Sequence, residues 1–269
     1  MPVRGLPGGA VSDTITGVTD RDTLHAAILD DPADDTARLV LADMLRESDD
    51  PDAQARGRFL WAGVTASRFR DEEVIDDPLY YTATGEIAAV ASSGLPARWL
   101  ADLGISPRPL TPGDWLWDSA HDRVSVCVGG TVGAFARGML AELSLTLADW
   151  YSLAAVALAN WPVERVVLTD VPGLDFAVEP PGYPGGGWRL AARLSVPRRN
   201  VPVAGPHVAP SAVSPLPLLV EERAEWRAEE PFPDRAALVA GVIGASVLLT
   251  GDLGEVAGDR WPPPPRKRN

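Results

Sequence analysis

The chain has 269 residues, of which 46% are hydrophobic and 23% charged, so it can bury a sizeable core and is not expected to be disordered. Its net charge of −13 argues against a nucleic-acid partner, because binding to a polyanion requires clustered cations. The single cysteine, Cys127, excludes an intrachain disulfide and multi-cysteine metal sites.

Three helices are predicted between residues 20 and 70, after a leader at 1–18 that is rich in Gly, Pro, Ser and Thr and that we expect to be mobile. The first helix stops at Pro32, the second begins at Asp34, and the third follows a break at 48–51. The residues expected to pack this module are Ile28, Leu41, Leu45, Phe59 and Leu60. The three short-linked helices form a compact unit.

Strands are predicted after a further helical stretch at 86–103. Alternating valines at 124–128 indicate one strand, and Gly129-Gly130 is a hairpin turn into the next. The segments 140–145, 148–160 and 165–169 then predict a strand, a helix capped by Thr146, and a strand. A crossover of this length pairs its two strands in parallel.

Proline and glycine dominate the region that follows. Two irregular loops are predicted at 172–187 and 197–217, because proline removes ladder donors from a sheet. Strands are expected at 188–196 and 216–221, followed by a helix at 234–249.

The predicted fold class is α+β. We expect a helical module at 19–105, then a small mixed α/β domain at 110–260 with one strand–helix–strand unit and Pro/Gly-rich loops. Residues 261–269 form a Pro-rich basic tail.

Part of the helical module resembles a known family. The matching stretches within 21–64 are 24–32, 38–47 and 56–60. Their spacing resembles the bacterial repeat-companion domain, which is abundant in planctomycete-type proteomes and often adjoins leucine-rich repeats. Leu41 and Met44 replace the two aromatic residues of that family's pattern, and Arg58 replaces its acidic residue. The resemblance implies no catalytic residues.

Residues 138–170 are similar to one degenerate leucine-rich-repeat turn, on the stretches 142–150 and 161–170. A solenoid needs about three stacked turns, and no second copy is visible. The resemblance therefore implies a relic or a cap rather than a repeat array.

Candidate binding residues are charged positions in the family-like segment and two tryptophans. They are Arg38, Asp43, Arg56, Arg58, Trp115 and Trp117. Asp43 could instead form a helix-stabilising ion pair with Arg46. The tryptophans lie near Pro112, where they could project from a loop as binding anchors or belong to the core.

No cofactor or metal site is predicted. His121 has no partner histidine in a related segment, and the acids at 30–35 suit turns and helix caps better than calcium. Residues 1–10 lack a secretory-signal pattern, and the longest apolar run, at 236–249, is shorter than the about 20 residues that cross a bilayer. We therefore expect a cytoplasmic protein with no membrane association.

The function that these features favour is a non-catalytic protein-interaction or scaffold role with an unknown protein partner. The alternative is a hydrolase or other acid-dependent enzyme that uses carboxylates not assignable from the sequence. A crevice holding two carboxylates with displaced pKa values would favour the enzyme. A broad apolar patch with a polar rim would favour the interaction protein.

Overall fold

The computed structural model describes residues 19–69, 77–101, 103–105, 115–118, 123–128, 130–171, 173–182, 186–198, 220–227 and 230–257. The predicted leader at 1–18 and tail at 261–269 lie outside the described residues.

The helices are α1 (Asp20–Asp30), α2 (Asp35–Arg46), α3 (Pro51–Ala66), α4 (Pro78–Ser92), α5 (Leu95–Ala101), α6 (Leu147–Asn160) and α7 (Arg235–Ala257). The strands are β1 (Trp115–Asp118), β2 (Arg123–Val128), β3 (Thr131–Ala136), β4 (Met139–Leu145), β5 (Arg165–Leu168), β6 (Leu174–Glu179), β7 (Arg189–Arg198) and β8 (Val220–Arg227). The α+β class predicted from the sequence is confirmed.

Side-chain caps fix where the N-terminal helices begin. Asp34 precedes α2 and accepts a hydrogen bond from the Thr36 backbone N–H at 2.8 Å. Asp50 caps α3 in the same way, and Pro51 occupies its first position, where a missing N–H costs nothing. The predicted break at 48–51 is therefore both the end of α2 and the start signal of α3.

Glycine at position 57 lets α2 and α3 pack backbone to backbone. A Cβ at Gly57 would lie 2.7 Å from the carbonyl oxygen of Ala42 and 2.8 Å from the nitrogen of Arg46. The two helices therefore approach more closely than any larger residue permits. The five residues predicted to pack this module, Ile28, Leu41, Leu45, Phe59 and Leu60, are all buried.

The eight strands form one sheet whose spatial order follows the chain, from β1 to β8. Every neighbouring pair is antiparallel except β4 and β5, which run parallel and are joined by α6. The predicted strand–helix–strand unit is thus confirmed, as is the Thr146 cap, whose hydroxyl accepts from the Asp149 N–H at 3.1 Å.

The β3–β4 turn ties the helical module to the sheet. Arg137 and Gly138 both have positive φ, at 49° and 75°, and the turn lies against the backbone of α3. The Arg137 guanidinium donates to the Ala33 carbonyl at 3.2 Å and to Asp35 at 3.3 Å. The buried apolar side chains of both parts form one contiguous core. The boundary predicted between residues 105 and 110 lies outside the described residues.

Three sequence predictions need correction. The helical stretch predicted from residue 86 begins at Pro78, because Asp77 caps α4 through the Leu79 N–H at 2.7 Å. The loop predicted at 172–187 contains β6, which is buried along almost its whole length. The strand predicted at 216–221 is β8, at Val220–Arg227, whose charged sequence suits an edge strand and conceals its apolar alternation.

Candidate functional site

Arg38 belongs to the fold and does not reach the surface. Its side chain is 2% exposed, and its guanidinium donates to the carbonyls of Pro32 at 2.7 Å and Asp34 at 3.1 Å. Burial lowers the pKa of Arg38 to about 10, which leaves it protonated at neutral pH. Arg38 thus holds the turn between α1 and α2, and it is removed from the set of surface binding residues.

Asp43 and Arg58 are exposed and form ion pairs. Asp43 lies 3.5 Å from Arg46 one turn along α2, as in the structural alternative considered for it. Arg58 lies 3.4 Å from Glu86 and links α3 to α4. Exposed pairs of this kind contribute little to stability, about 0–1 kcal/mol, so both side chains can exchange partners on binding.

A largely apolar groove lies beside Asp43, between α2, α3 and the start of α4; we call it the α2–α4 groove. It has a volume of about 440 Å³. Its lining residues are Leu39, Asp43, Trp61, Thr65, Arg68, Phe69 and Leu79. The guanidinium of Arg46 lies 5.5 Å from the centre of the Trp61 ring. Apolar surface with charged groups at its edge is the pattern that marks protein-interaction sites.

Arg56 lines a second cavity, of about 540 Å³. Its guanidinium is stacked 4.7 Å from the centre of the Trp161 ring and 5.6 Å from that of Trp99. We call this the Arg56 cavity. It is lined by Thr19, Arg21, Asp22, His25, Leu41, Leu45, Arg56, Leu60, Gly138, Met139, Asn160 and Trp161.

Trp161 carries an unsatisfied donor at this cavity. The residue is 2% exposed, and its indole Nε1 has no hydrogen-bond partner among the described residues. Leaving a buried donor without an acceptor costs about 1–3 kcal/mol. Because this nitrogen is itself buried, the cavity does not expose it to a ligand.

His25 lines the same cavity, and three arginines place positive charge near its imidazole. Burial lowers the pKa of His25, and the positive charges of Arg56, Arg21 and Arg235 lower it further, while a hydrogen bond to the Asn160 backbone opposes them. Neither His25 nor Asn160 was predicted as a site residue, because the two meet only in the folded chain.

Buried Arg235, at the start of α7, is a further residue that the sequence did not single out. It donates to the carbonyl oxygens of Leu29 at 3.0 Å, Leu158 at 2.9 Å and Trp161 at 2.7 Å. Its guanidinium also lies 4.8 Å from the centre of the Trp188 ring. Arg235 therefore closes the C-terminal ends of α1 and α6 together.

Trp115 and Trp117, for which a loop and a core position were both considered, lie in β1 at the edge of the described sheet and pair with Val126 and Val124. Trp115 is half-buried and packs against the core, while the neighbouring Leu116 is 67% exposed. The side chain of Trp117 lies outside the described residues. Large aromatic residues favour strands, which explains this placement.

A row of ion pairs crosses the face of the sheet opposite the apolar core. Glu142 on β4 lies 2.7 Å from Arg123 and 3.7 Å from Arg165, and Arg165 lies 2.6 Å from Asp175. Ala134 and Ala136 on the intervening β3 are small enough for Arg123 and Glu142 to meet across them. Each of these carboxylates is therefore paired with an arginine.

Among the described residues, two carboxyl groups have displaced pKa values, and they do not form a catalytic pair. Hydrogen bonds at helix N-termini lower the pKa of Asp22, through Thr19, and that of Asp34, through Thr36. A lowered pKa suits a cap and opposes the proton-donating role of a general acid. The crevice expected for the enzymatic alternative is therefore not formed by these groups.

Within the described part of the chain, His, Cys, Asp and Glu residues form no cluster of three or more that could hold a metal ion. None of the helices in that same part combines the length and the apolar character that a bilayer crossing requires.

Comparison with known proteins gives no match: no family model, no curated protein and no solved structure is significantly similar to the chain. The resemblances of 21–64 to the repeat-companion domain and of 138–170 to a leucine-rich-repeat turn stay predictions.

Proposed function

We propose that the chain is a non-catalytic protein-interaction protein that binds a basic, amphipathic helical segment of a partner in the α2–α4 groove. The observation that carries this proposal is the juxtaposition of Trp61, Phe69 and Leu79 in a solvent-open groove beside the exposed Asp43. A groove of this composition receives the apolar face of an amphipathic helix.

The net charge of the chain favours a basic partner. The chain carries a net charge of −13, and the link from α2 to α3 exposes Glu47, Asp49 and Asp50. The charged side chains at the groove itself are Asp43, Arg46 and Arg68. Complementary charge speeds association and fixes orientation.

The test uses the full chain and three synthetic amphipathic helical peptides: one with a leucine face and a lysine face, its glutamate counterpart, and a scrambled lysine version. Fluorescence titration should show saturable binding of the ordered lysine peptide alone. Affinity should fall with added salt, because exposed charges are screened over about 10 Å at 0.1 M ionic strength.

Leu79→Glu and Tyr81→Glu form a matched pair of variants. Leu79 is 47% exposed and lines the groove, whereas Tyr81 is 57% exposed and does not line it. We expect Leu79→Glu to weaken peptide binding by about tenfold or more, since an interface hot spot is worth about 1–2 kcal/mol or more. Tyr81→Glu should leave binding unchanged. Equal losses in both variants, or the absence of saturable binding, would contradict the proposal.

A further inference from the structure

Helix α7 turns its polar side inward. The buried hydroxyl of Ser246 accepts a hydrogen bond from the Trp150 Nε1 at 3.0 Å, and the buried Thr250 hydroxyl lies 2.9 Å from that of Tyr151. Both partners belong to α6. These contacts fix the rotation of α7 about its own axis, so the side opposite Ser246 and Thr250 faces away from α6.

That outward side of α7 is apolar. In the described part of the chain Ile243, Val247 and Leu248 remain 42%, 51% and 70% exposed. The segment 236–251 contains no charged residue, although 23% of the chain is charged. We call this surface the α7 face; it consists of the exposed residues Ala236, Ala240, Ile243, Gly244, Val247, Leu248 and Gly251. Apolar surface that lacks charge is typical of the centre of a protein interface.

An apolar groove of about 390 Å³ lies at the N-terminal end of the α7 face. Its walls come from α1, α6 and α7, and include Leu158, Val239 and Ala240. The ridge formed by Val247 and Leu248 lies eight residues beyond the groove, which is about 12 Å along the helix. The same surface therefore carries an apolar ridge and an apolar groove.

A second copy of the chain complements these two features. A twofold axis through α7 near Ile243 and Gly244 sets two helices antiparallel, so that the ridge of each protomer lies over the groove of the other. Gly244 then lies at the crossing point. A Cβ there would meet no described atom within 4 Å, so packing inside the protomer does not explain a glycine that costs a helix about 1 kcal/mol. By contrast, a Cβ on Gly241 would lie 2.5 Å from the Phe232 ring.

Charge and area also favour a second copy. The α7 face offers no charge to pair with a charged partner, and it lets two chains of net charge −13 meet where neither is charged. From the exposed fractions of its residues, two copies of the face would bury roughly 1,200 Å², above the about 1,000 Å² that a specific interface needs. An interface at this small end of the range favours a reversible dimer.

We infer that the chain forms a reversible homodimer through the α7 face, with the two α7 helices antiparallel. This inference goes beyond the protein-interaction proposal and does not depend on it, since the α2–α4 groove shares no residue with the α7 face.

Sedimentation velocity of the full chain between about 1 and 200 µM tests the association. We expect a monomer–dimer equilibrium that stops at two chains, with a dissociation constant in the micromolar range. Affinity should rise with added salt, because salt screens the repulsion between two acidic chains. Peptide binding in the α2–α4 groove should instead weaken with salt, so the two proposals fail separately. A monomer at every concentration, association beyond two chains, or a dimer weakened by salt would overturn the inference.

Val247→Glu and Val40→Glu form a matched pair, because Val247 on α7 and Val40 on α2 are 51% and 50% exposed. Val247→Glu places an unpaired charge in the interface twice, once from each protomer, so we expect dimerisation to weaken by about 100-fold or more. Val40→Glu should leave it unchanged. If Val247→Glu fails to fold, Leu248→Glu should show the same loss. An equal loss in Val40→Glu would overturn the inference.

Cysteine cross-linking tests the antiparallel arrangement in a chain that carries Cys127→Ser. The two copies of residue 243 lie beside the twofold axis, whereas the two copies of residue 236 lie more than about 20 Å apart, beyond the reach of a disulfide. Mild oxidation should therefore yield a covalent dimer of Ile243→Cys and leave Ala236→Cys monomeric on a non-reducing gel. The reverse pattern, or equal cross-linking of the two variants, would overturn this arrangement.

Discussion

Gly63 on α3 and Gly138 in the β3–β4 turn lie backbone against backbone. A Cβ on Gly63 would lie 2.3 Å from the Gly138 nitrogen, and one on Gly138 would lie 2.3 Å from the Leu60 Cα. The helical module and the sheet therefore meet at a point where neither the helix α3 nor the β3–β4 turn has room for a side chain.

Substitution at this junction should destabilise the whole protein. We expect Gly138→Ala to lower the free energy of unfolding by at least about 2 kcal/mol, because it combines a positive φ with a clash against backbone atoms. Gly130→Ala is the control: Gly130 has φ 91° but nothing within 4 Å of its Cβ position, so that substitution reports the backbone strain alone. Denaturant titrations measure the free energy of unfolding of both variants. An equal decrease in the two would show that the close approach at Gly138 adds nothing to the cost of the substitution.

Substitution of Arg235 should lower the free energy of unfolding more than most substitutions in the C-terminal half of the chain. Arg235→Met leaves the carbonyls of Leu29, Leu158 and Trp161 without their donor, and we expect a loss of about 3 kcal/mol or more in the free energy of unfolding. Arg235→Lys should recover only part of it, since one ammonium cannot reproduce the fork of the guanidinium. Full recovery by lysine would mean that charge alone matters there.

Stability should fall on mild acidification through His25. The folded-state pKa of His25 lies below the unfolded value of 6.5, so the unfolded chain binds the proton more readily. The stabilisation is complete above the unfolded pKa and is lost as the pH falls through the lowered folded pKa.

Urea titrations of the native protein and His25→Gln between about pH 7.5 and pH 4.5 measure this effect. The profile of the variant should be flatter. His121 and His207 remain in both proteins, so the difference between the two profiles isolates His25. Parallel profiles would rule out a contribution from this histidine.

Glu142 bridges Arg123 and Arg165 on the open face of the sheet, at 2.7 Å and 3.7 Å. Since it is only 17% exposed, Glu142→Gln should lower the free energy of unfolding by about 1–2 kcal/mol. Glu86→Gln, which breaks the exposed pair with Arg58, should cost less than about 1 kcal/mol. Thermal melts measure the stability of both variants. A larger decrease in stability for Glu86→Gln than for Glu142→Gln would contradict the prediction that the Glu142 pairs contribute more.

The secondary structure that local signals encode could be predicted from the sequence. Asp34 and Thr146 cap helices by accepting hydrogen bonds from residues only two or three positions away. The start of each helix can therefore be predicted from the local sequence alone. Strand β6 was missed because proline and glycine surround it, although Phe176 and Val178 alternate within it. Strand β8 was predicted too early in the chain, at 216–221, because charged residues fill most of Val220–Arg227.

The candidate site was less accessible to sequence reasoning. Arg56 was singled out, but its stacking partners Trp99 and Trp161 come from other elements, and no local pattern connects them. Arg38 was assigned to a surface because arginine is seldom buried, whereas here its Nη1 donates to two carbonyls of a tight turn while its Nε lacks a partner among the described residues. Which charges meet is decided by long-range packing, which a single sequence does not display.

The hydrogen bond from Arg235 to Leu29 joins positions 206 residues apart. During synthesis from the N-terminus, α1 emerges long before the residue that closes its C-terminal end, so a nascent chain still lacking α7 leaves that carbonyl to water. Closing so long a loop carries an entropic cost that local helix formation does not, which places this contact late in folding. Chains truncated before α7 would therefore lack the donor that closes the C-terminal end of α1.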